Sequence, residues 1–311
     1  MITKQIYFPG LNGVRFCAAF LVMLDHLELF KSYFGFRMLW SESFSSYLGN
    51  LGVTIFFVLS GFLITYLLLT EKKQSAISIK NFYMRRILRI WPLYFLIVVI
   101  SFFIIPHIDI FNVPVYSQPI HNSFTAKLTL FLFLLANVAF VAFPTVAFGN
   151  ILWSVAVEEQ FYLIWPFIIK KFRNIFITLV ILLAIYILIK LVVIADLLNV
   201  KTYLPIWIDS LIDKTRISCM IIGSLGAVMI FKNKPSFIKL IQSNYTQIIF
   251  LSIFFMLLFD LIRFPFFNLI KHEIISVVIV ILLINISTNP TSILKLENRY
   301  FNYLGKISYG I

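Results

Sequence analysis

The sequence is poor in charged residues and in cysteine. Only 13% of its 311 residues are Asp, Glu, Lys or Arg, whereas soluble domains usually carry about 25%. The only two cysteines, Cys17 and Cys219, lie in apolar runs, so we expect two small buried thiols rather than a disulfide scaffold. Apolar residues make up 61% of the chain and include 35 Phe, which excludes a disordered protein. The composition predicts an all-α integral membrane protein, a bundle of several spanning helices.

Apolar stretches of about the 20 residues needed to cross a bilayer recur along the chain. We predict one membrane domain over residues 1–311, with spans at roughly 13–30, 49–70, 89–105, 153–169, 174–195, 216–231, 246–264 and 268–288. A further apolar stretch, 124–143, is predicted to be a re-entrant or interfacial segment packed against protein. If it crossed the membrane, the charge pattern of every later loop would be inverted.

Basic residues are concentrated in alternate loops. If the N-terminus is cytoplasmic, most of the 26 Lys and Arg lie in cytoplasmic segments, where only Glu71 and Glu297 are acidic. This distribution follows the positive-inside rule. The net charge of +13 therefore indicates topology and gives no support to nucleic-acid binding.

The first span carries three ionisable residues, Arg15, Asp25 and His26, which are functional candidates because charge inside a membrane is costly. Arg15 and His26 are 11 residues apart, which places them about 20° from alignment on one helix face and about 16 Å apart along the axis. Arg15 could instead be an anchor at the membrane edge, and His26 could simply hydrogen-bond a neighbouring helix. Asp25 could partner His26 or point to another helix.

Two further runs place charge at predicted spans. Arg86 and Arg89 share a helix face, which suits phosphate binding, although an ordinary positive-inside cluster would look the same. Glu158 and Glu159 are adjacent in a span and diverge by about 100°, so they should face different partners. Glu158 is predicted at the depth of His26, where the two could exchange a proton or form a structural ion pair.

Small residues and one polar cluster complete the pattern. Gly52, Ser60 and Gly61 predict close helix packing. A polar cluster around an outer turn is expected to form a solvated rim: Asp260, Arg263, His272 and Glu273. The four histidines have no metal-ligand spacing, so we expect no metal.

Five runs, in order along essentially the whole chain, carry a family resemblance. They are Gly13-Val14-Arg15 with His26, 52–65, 82–92 with Arg86-x-x-Arg89, 153–166, and 304–311. Together they resemble the bacterial acyltransferase-3 family of membrane-bound O-acyltransferases.

The resemblance implies a fold of about ten membrane helices in the bacterial cytoplasmic membrane, surrounded by lipid. It implies transfer of an acyl group, commonly acetyl, from cytoplasmic acyl-CoA to a hydroxyl of a cell-surface polysaccharide or other carbohydrate. By motif position, His26 is the catalytic histidine, and Arg15, which belongs to the same motif, would be a cofactor contact. Arg86 and Arg89 would contact CoA, and Glu158 with Glu159 would be the acidic pair. The family's last two helices are missing here, so a C-terminally truncated member is expected.

The mechanism that we expect uses His26 as general base, oriented by Glu158 or Asp25, on an acceptor hydroxyl that attacks the thioester. A covalent acyl-histidine is the less economical route. Two other functions fit the sequence: a multi-span transporter or flippase of a glycan or lipid, and an inactive truncated relic.

Overall fold

The protein is described by a computed structural model that covers residues 7–111, 123–143, 146, 148–198, 207–262 and 267–308. Every regular element in these ranges is helical, as the sequence predicts. The α-helices are α1 (Leu11–Tyr33), α2 (Glu42–Gln74), α3 (Ile79–Val99), α4 (Phe124–Leu132), α5 (Ala136–Ala142), α6 (Leu152–Lys171), α7 (Ile175–Leu198), α8 (Trp207–Thr215), α9 (Ile217–Lys232), α10 (Pro235–Gln242), α11 (Asn244–Leu258), α12 (Phe267–Thr288) and α13 (Arg299–Ile307). After α3 the chain continues through a π-helical turn, Ile100–Ile104, and two short 3₁₀ turns, Ile105–His107 and Asp109–Phe111.

Five helical stretches among the described residues are long and apolar enough to cross a membrane. They are Glu42–Gln74, Ile79–His107, Ile175–Val193, Trp207–Lys232 and Ile270–Thr288. A sixth candidate is the pair α10 and α11, which is bent by 59°. The predicted spans 13–30 and 153–169 form the continuous helices α1 and α6, which carry more charge. The total of eight spans therefore stays a prediction.

Exposed side chains on α7 fit a lipid environment. This helix leaves Ile177, Ile181, Ile185 and Leu188 exposed along its length. Such a continuous apolar surface is unusual for a protein surface in water and normal for one in hydrocarbon.

The helices divide into two compact units. Unit 1 comprises Met1–Gln74, Asn174–Leu183 and Ser218–Ile311. Within it, α2 packs against α9 with almost no side chain between the backbones. A Cβ on Gly61 would collide with the carbonyl oxygen of Met220, and a Cβ on Gly223 would collide with that of Val58. Thr65 adds a 2.8 Å hydrogen bond to Ser224 across the same contact. The prediction of close packing around Gly61 is confirmed.

Unit 2 comprises Ser75–Arg173 and Ala184–Ile217. Its core is built by α3, the π-helical turn that follows it, the short helices α4 and α5, and the start of α6. The buried side chains of this core include Tyr94, Phe102, Phe131 and Leu152. Ser78 caps α3, since its hydroxyl accepts a hydrogen bond from the backbone N–H of Asn81.

The segment predicted to be re-entrant forms α4 and α5, of nine and seven residues, with a sharp break between them. Leu134 at the break has a left-handed backbone, with φ of 58°. Its carbonyl accepts a 3.0 Å hydrogen bond from Gln160 Nε2 of α6, and Phe131's carbonyl accepts one of 2.9 Å from the Tyr94 hydroxyl. Protein side chains therefore satisfy the backbone at the break. Neither helix alone reaches the length of a span, and the segment's depth in the membrane stays a prediction.

Candidate functional site

Arg15 is held near the N-terminal end of α1 by amide side chains. Its Nη1 donates a 3.1 Å hydrogen bond to Asn12 Oδ1, one helical turn earlier. Asn12 Nδ2 in turn donates to Asn302 Oδ1 of α13 at 3.3 Å. Arg15 is thus half-buried in a polar network that joins α1 to α13. Its predicted contact with a cofactor stays a prediction.

Asp25 points to a neighbouring helix, which is one of the two alternatives left by the sequence. Asp25 Oδ1 accepts a 3.2 Å hydrogen bond from the Ser45 hydroxyl of α2. The carboxyl group packs directly against Gly49, where any added Cβ would collide with it. His26 follows about 100° further around α1 and is half-buried. The contact fixes the rotation of α1 against α2 and hence the direction of the helix face that carries His26.

Two residues expected in a solvated rim are buried instead. His272 and Glu273, in the first turns of α12, are each 9% exposed. Thr54 Oγ1 of α2 lies 3.4 Å from His272 Nδ1, and the Ser218 hydroxyl of α9 donates a 2.9 Å hydrogen bond to Glu273 Oε1. The expectation was wrong for this pair because hydroxyl side chains of two helices cover it. Asp260 is half-buried, and Arg263 lies outside the described residues.

In unit 2, the two adjacent carboxylates of α6 face different partners, as their spacing predicts. Glu158 and Glu159 are each 8% exposed. Glu158 Oε2 accepts a 3.2 Å hydrogen bond from the Tyr162 hydroxyl, one turn along the same helix. Glu159 Oε2 accepts one of 2.8 Å from the indole N–H of Trp91 on α3. The contact with Trp91 was not predicted, since neither sequence run indicates which face of α3 meets α6.

The two arginines of the Arg86-x-x-Arg89 run differ in burial. Arg86 is half-buried, and its Cζ lies 5.8 Å from the ring centroid of Phe82 and 5.5 Å from that of Tyr162. Both distances are in the range of cation–π contacts. Arg89 is exposed. Arg86 is therefore held against α6, next to the ring whose hydroxyl binds Glu158.

Unsatisfied polar atoms mark this part of unit 2. Arg86 Nε and Glu159 Oε1 are buried and have no hydrogen-bond partner within the described part of the protein. Buried polar groups are nearly always paired, so each exception needs a specific explanation, of which a bound ligand or a reaction is one. A donor on α3 and an acceptor on α6 are therefore available to a bound molecule.

The predicted proton-transfer pair of His26 and Glu158 joins residues of different units, so it stays a prediction. The described residues include no group of three or more His, Cys, Asp or Glu that could hold a metal ion. His121 lies outside them.

The family model and two of the relatives name one chemistry, acyl transfer. The family model of the acyltransferase-3 type, described as an acyltransferase domain, matches residues 8–311. The chain is 33% identical over 169 residues to the peptidoglycan O-acetyltransferase OatA of Listeria monocytogenes. The matched stretch is 51% of this chain and 24% of that protein. The chain is 32% identical over 189 residues to the O-acetyltransferase OatA of Staphylococcus aureus, 56% of this chain and 27% of that protein.

A third relative, an uncharacterised protein of Haemophilus influenzae, is 35% identical over 145 residues, 42% of this chain and 56% of the relative. The chain thus spans about a quarter of the length of the two OatA proteins. No solved structure matches it significantly.

Proposed function

The chain belongs to the acyltransferase-3 family, and we propose that it is a membrane-bound O-acetyltransferase that acts on a hydroxyl of a cell-wall carbohydrate. The observation that carries this proposal is the polar arrangement in unit 2. Arg86 and Glu159 present a buried donor atom and a buried acceptor atom without partners, in two of the runs that carry the family resemblance. An enzyme that orients a phosphate-bearing donor has a use for that combination, and the family match favours this reading over a transporter.

Acyl-CoA is the proposed donor, entering from the cytoplasm. Guanidinium groups bind phosphate through paired hydrogen bonds, and Arg86 is held in place by two aromatic rings. Arg89, one turn further and exposed, would bind the more solvated phosphate. Arg15, at the predicted cytoplasmic end of α1, is proposed as a further cofactor contact.

His26 is the proposed general base. Its imidazole takes the proton of the acceptor hydroxyl, and the oxygen attacks the carbonyl carbon of the thioester. The C–S bond then breaks, and the CoA sulfur leaves with the proton returned by the imidazolium. The imidazole is neutral again at the end of the step, so atoms and charge balance without another reactant. The packing of Asp25 against Ser45 and Gly49 supports a fixed direction of the helix face that bears His26.

The carboxylates of α6 are proposed to assist this step. Glu158 would stabilise the imidazolium, in the role that the sequence suggests for a carboxylate at the depth of His26. Glu159 is proposed to balance the charge of Arg86, while the indole N–H of Trp91 binds the Oε2 atom of Glu159. The membrane of a bacterial cell, with the N-terminus in the cytoplasm, is the proposed location.

Membranes that contain the full chain, given radiolabelled acetyl-CoA and peptidoglycan fragments, test the proposal directly. We expect alkali-labile label on the glycan, since an ester is formed. Movement of glycan across the membrane without label would favour the transporter, and neither activity would favour the relic. Membranes with the His26→Ala variant are the control for other acetyltransferases in the preparation.

A further inference from the structure

Two segments of unit 1 carry an excess of positive charge. Residues 232–246, which include α10, and residues 288–308, which include α13, contain six Lys or Arg but only one acidic residue, Glu297. The carboxylate of Glu297 already accepts hydrogen bonds from the Tyr7 hydroxyl and the Asn302 amide. Five of the six cations are exposed and make no ion pair within the described ranges, and we call them the basic patch: Lys234, Lys239, Lys295, Arg299 and Lys306.

Contacts at the C-terminal end of α12 bring the two segments together. Gln242 Nε2 of α10 donates a 3.0 Å hydrogen bond to the carbonyl of Thr288, the last residue of α12. Gly10 packs against Ile286 of the same helix, and its N–H donates to Glu297, which directly precedes the cap residue of α13. The basic patch therefore lies at a single end of unit 1, which faces the cytoplasm in the predicted topology.

The outer face of α13 carries basic and aromatic side chains next to one another. The inner face packs on α1, where Gly305 lies directly on the Asn12 backbone and the Phe301 ring centroid is 5.7 Å from that of Phe16. At about 100° per residue, an opposite arc of about 120° holds the exposed side chains: Arg299, Tyr300, Tyr303, Lys306 and Ile307. The two cations occupy one edge of this arc. The two tyrosines, which are 80% and 64% exposed, occupy the rest with the isoleucine.

The short helix α10 has a similar arrangement at the same end of unit 1. Its Ile241 is buried, and the carbonyl of that residue accepts a 2.7 Å hydrogen bond from Asn285 Nδ2 of α12. Lys239 is exposed, and its neighbour Leu240 is 64% exposed. Tyr245, at the start of α11, is 81% exposed. Amphipathic helices with lysine or arginine beside exposed apolar side chains are typical of segments that lie in a membrane interface.

We propose that the basic patch binds the phosphate groups of anionic phospholipids, while Tyr300, Tyr303 and Leu240 lie among the lipid headgroups. Charge complementarity favours an anion, because five exposed cations are accompanied by one acidic residue that is bound elsewhere. The exposed side chains between the cations favour a lipid as the carrier of that anion. Tyrosine is enriched at headgroup level because its ring is apolar and its hydroxyl is polar. Lipid binding of this kind is independent of the proposed acyl transfer.

Lipid selectivity measured without acyl-CoA tests the basic patch. The full chain would be placed in phosphatidylcholine nanodiscs that contain a trace of spin-labelled phosphatidylglycerol or of spin-labelled phosphatidylcholine. Electron paramagnetic resonance gives the fraction of each label that the protein immobilises. We expect the association constant to be about tenfold higher for phosphatidylglycerol. Arg299→Gln should lower this preference about fivefold, the factor that one cation contributes at an anionic surface, and adding Lys306→Gln should abolish it.

Arg37→Gln is the matched control, since Arg37 is an exposed cation at the other end of α1 in the same unit. It also follows an exposed aromatic residue, Phe36, so only its position differs from that of Arg299. This variant should keep the preference of the unsubstituted protein. Equal association of the two lipids with the unsubstituted protein would overturn the proposal, and so would equal effects of Arg299→Gln and Arg37→Gln.

A soluble phosphate compound is the other source of a suitable anion. Inorganic phosphate would therefore be compared with sodium chloride at equal ionic strength. Equal weakening of the lipid preference by both salts is expected for screened charges at a membrane surface and would support the proposal. Loss of the preference in phosphate alone would indicate a site for a soluble anion and overturn it. Lipid selectivity in a protein that transfers no acetyl group would uphold the patch and contradict only the proposed function.

Discussion

The indole N–H of Trp91 donates a 2.8 Å hydrogen bond to Glu159 Oε2 and so joins α3 to α6. The other carboxylate oxygen of Glu159 is buried without a partner. A single hydrogen bond thus stabilises a carboxylate that is 8% exposed. Removing this hydrogen bond should therefore destabilise the folded protein.

Trp91→Phe should lower the free energy of unfolding by about 1–3 kcal/mol, because it leaves both Glu159 oxygens buried and unpaired. In a Glu159→Leu background the same substitution should lower the free energy of unfolding much less, since no carboxylate remains to be left unpaired. Unfolding in mixed detergent micelles gives both values. The same cost in the two backgrounds would show that the hydrogen bond does not couple these residues.

Gly61→Ala and Gly223→Ala should each destabilise unit 1. The added methyl group would meet backbone atoms of the facing helix, which cannot rotate away as a side chain can. Overpacking of this kind costs about 1–3 kcal/mol. Gly226→Ala is the graded control: its new Cβ would lie 2.6 Å from Val280 Cγ1, a side-chain atom, and we expect a smaller loss. Unfolding midpoints in detergent would rank the three variants, and an equal loss in all three would contradict the backbone clash.

His26→Ala should lower acetyl transfer by about 10²-fold or more, because the reaction loses its general base. His107→Ala is the matched control, since His107 is an exposed histidine in unit 2. Label transfer from acetyl-CoA measures the rate, and the unfolding temperature checks that the variant is intact. Transfer retained in His26→Ala would remove this residue from the mechanism.

Arg86→Gln should raise the KM for acetyl-CoA by about tenfold, since a guanidinium held by two rings is replaced by a neutral amide. Arg85→Gln, one residue earlier and exposed, should change the KM little. Initial rates over a range of acetyl-CoA concentrations separate KM from kcat. Equal effects of the two variants would mean that only net positive charge matters at this end of α3.

Acid should weaken the contact between the start of α1 and α13. Burial tends to raise the pKa of Glu297, but hydrogen bonds from the Tyr7 hydroxyl, the Gly10 N–H and the Asn302 amide together hold the pKa below the ordinary value of 4.5. A lowered carboxylate pKa contributes stability that is present above pH 4.5 and is lost as the pH falls through the folded-state value. Unfolding temperatures from pH 6 down to pH 3 should therefore fall more steeply for the unsubstituted protein than for Glu297→Gln. Glu42→Gln, which removes an exposed carboxylate of α2, should leave the steep fall in place.

The helices themselves could be predicted from the sequence, because long apolar runs have few other stable forms in a membrane. The charge pattern predicts that 124–143 does not cross the membrane, but nothing in it indicates a break at Leu134. The turn is stabilised by the hydrogen bond from Gln160, which lies 26 positions later. No pattern within 124–143 points to that residue.

Side-chain partners between helices were harder to predict than the helices. The divergence of Glu158 and Glu159 follows from helix geometry, yet Trp91 as the partner of Glu159 depends on which face of α3 meets α6. The burial of His272 was missed because its neighbours in sequence are polar, and the hydroxyl beside it comes from Thr54, 218 residues earlier. Both contacts are set by packing between distant segments, which periodicity within one segment does not report.

The contact of Tyr7 and Gly10 with Glu297 joins residues about 290 positions apart, and Gly305 packs directly on the Asn12 backbone beside it. During synthesis on the ribosome, α1 emerges before the other helices described here and can meet these partners only after α2 to α12 have been made. The amino-terminal turn of α1 therefore stays without these partners until α13 docks, so its final packing is a late step of folding.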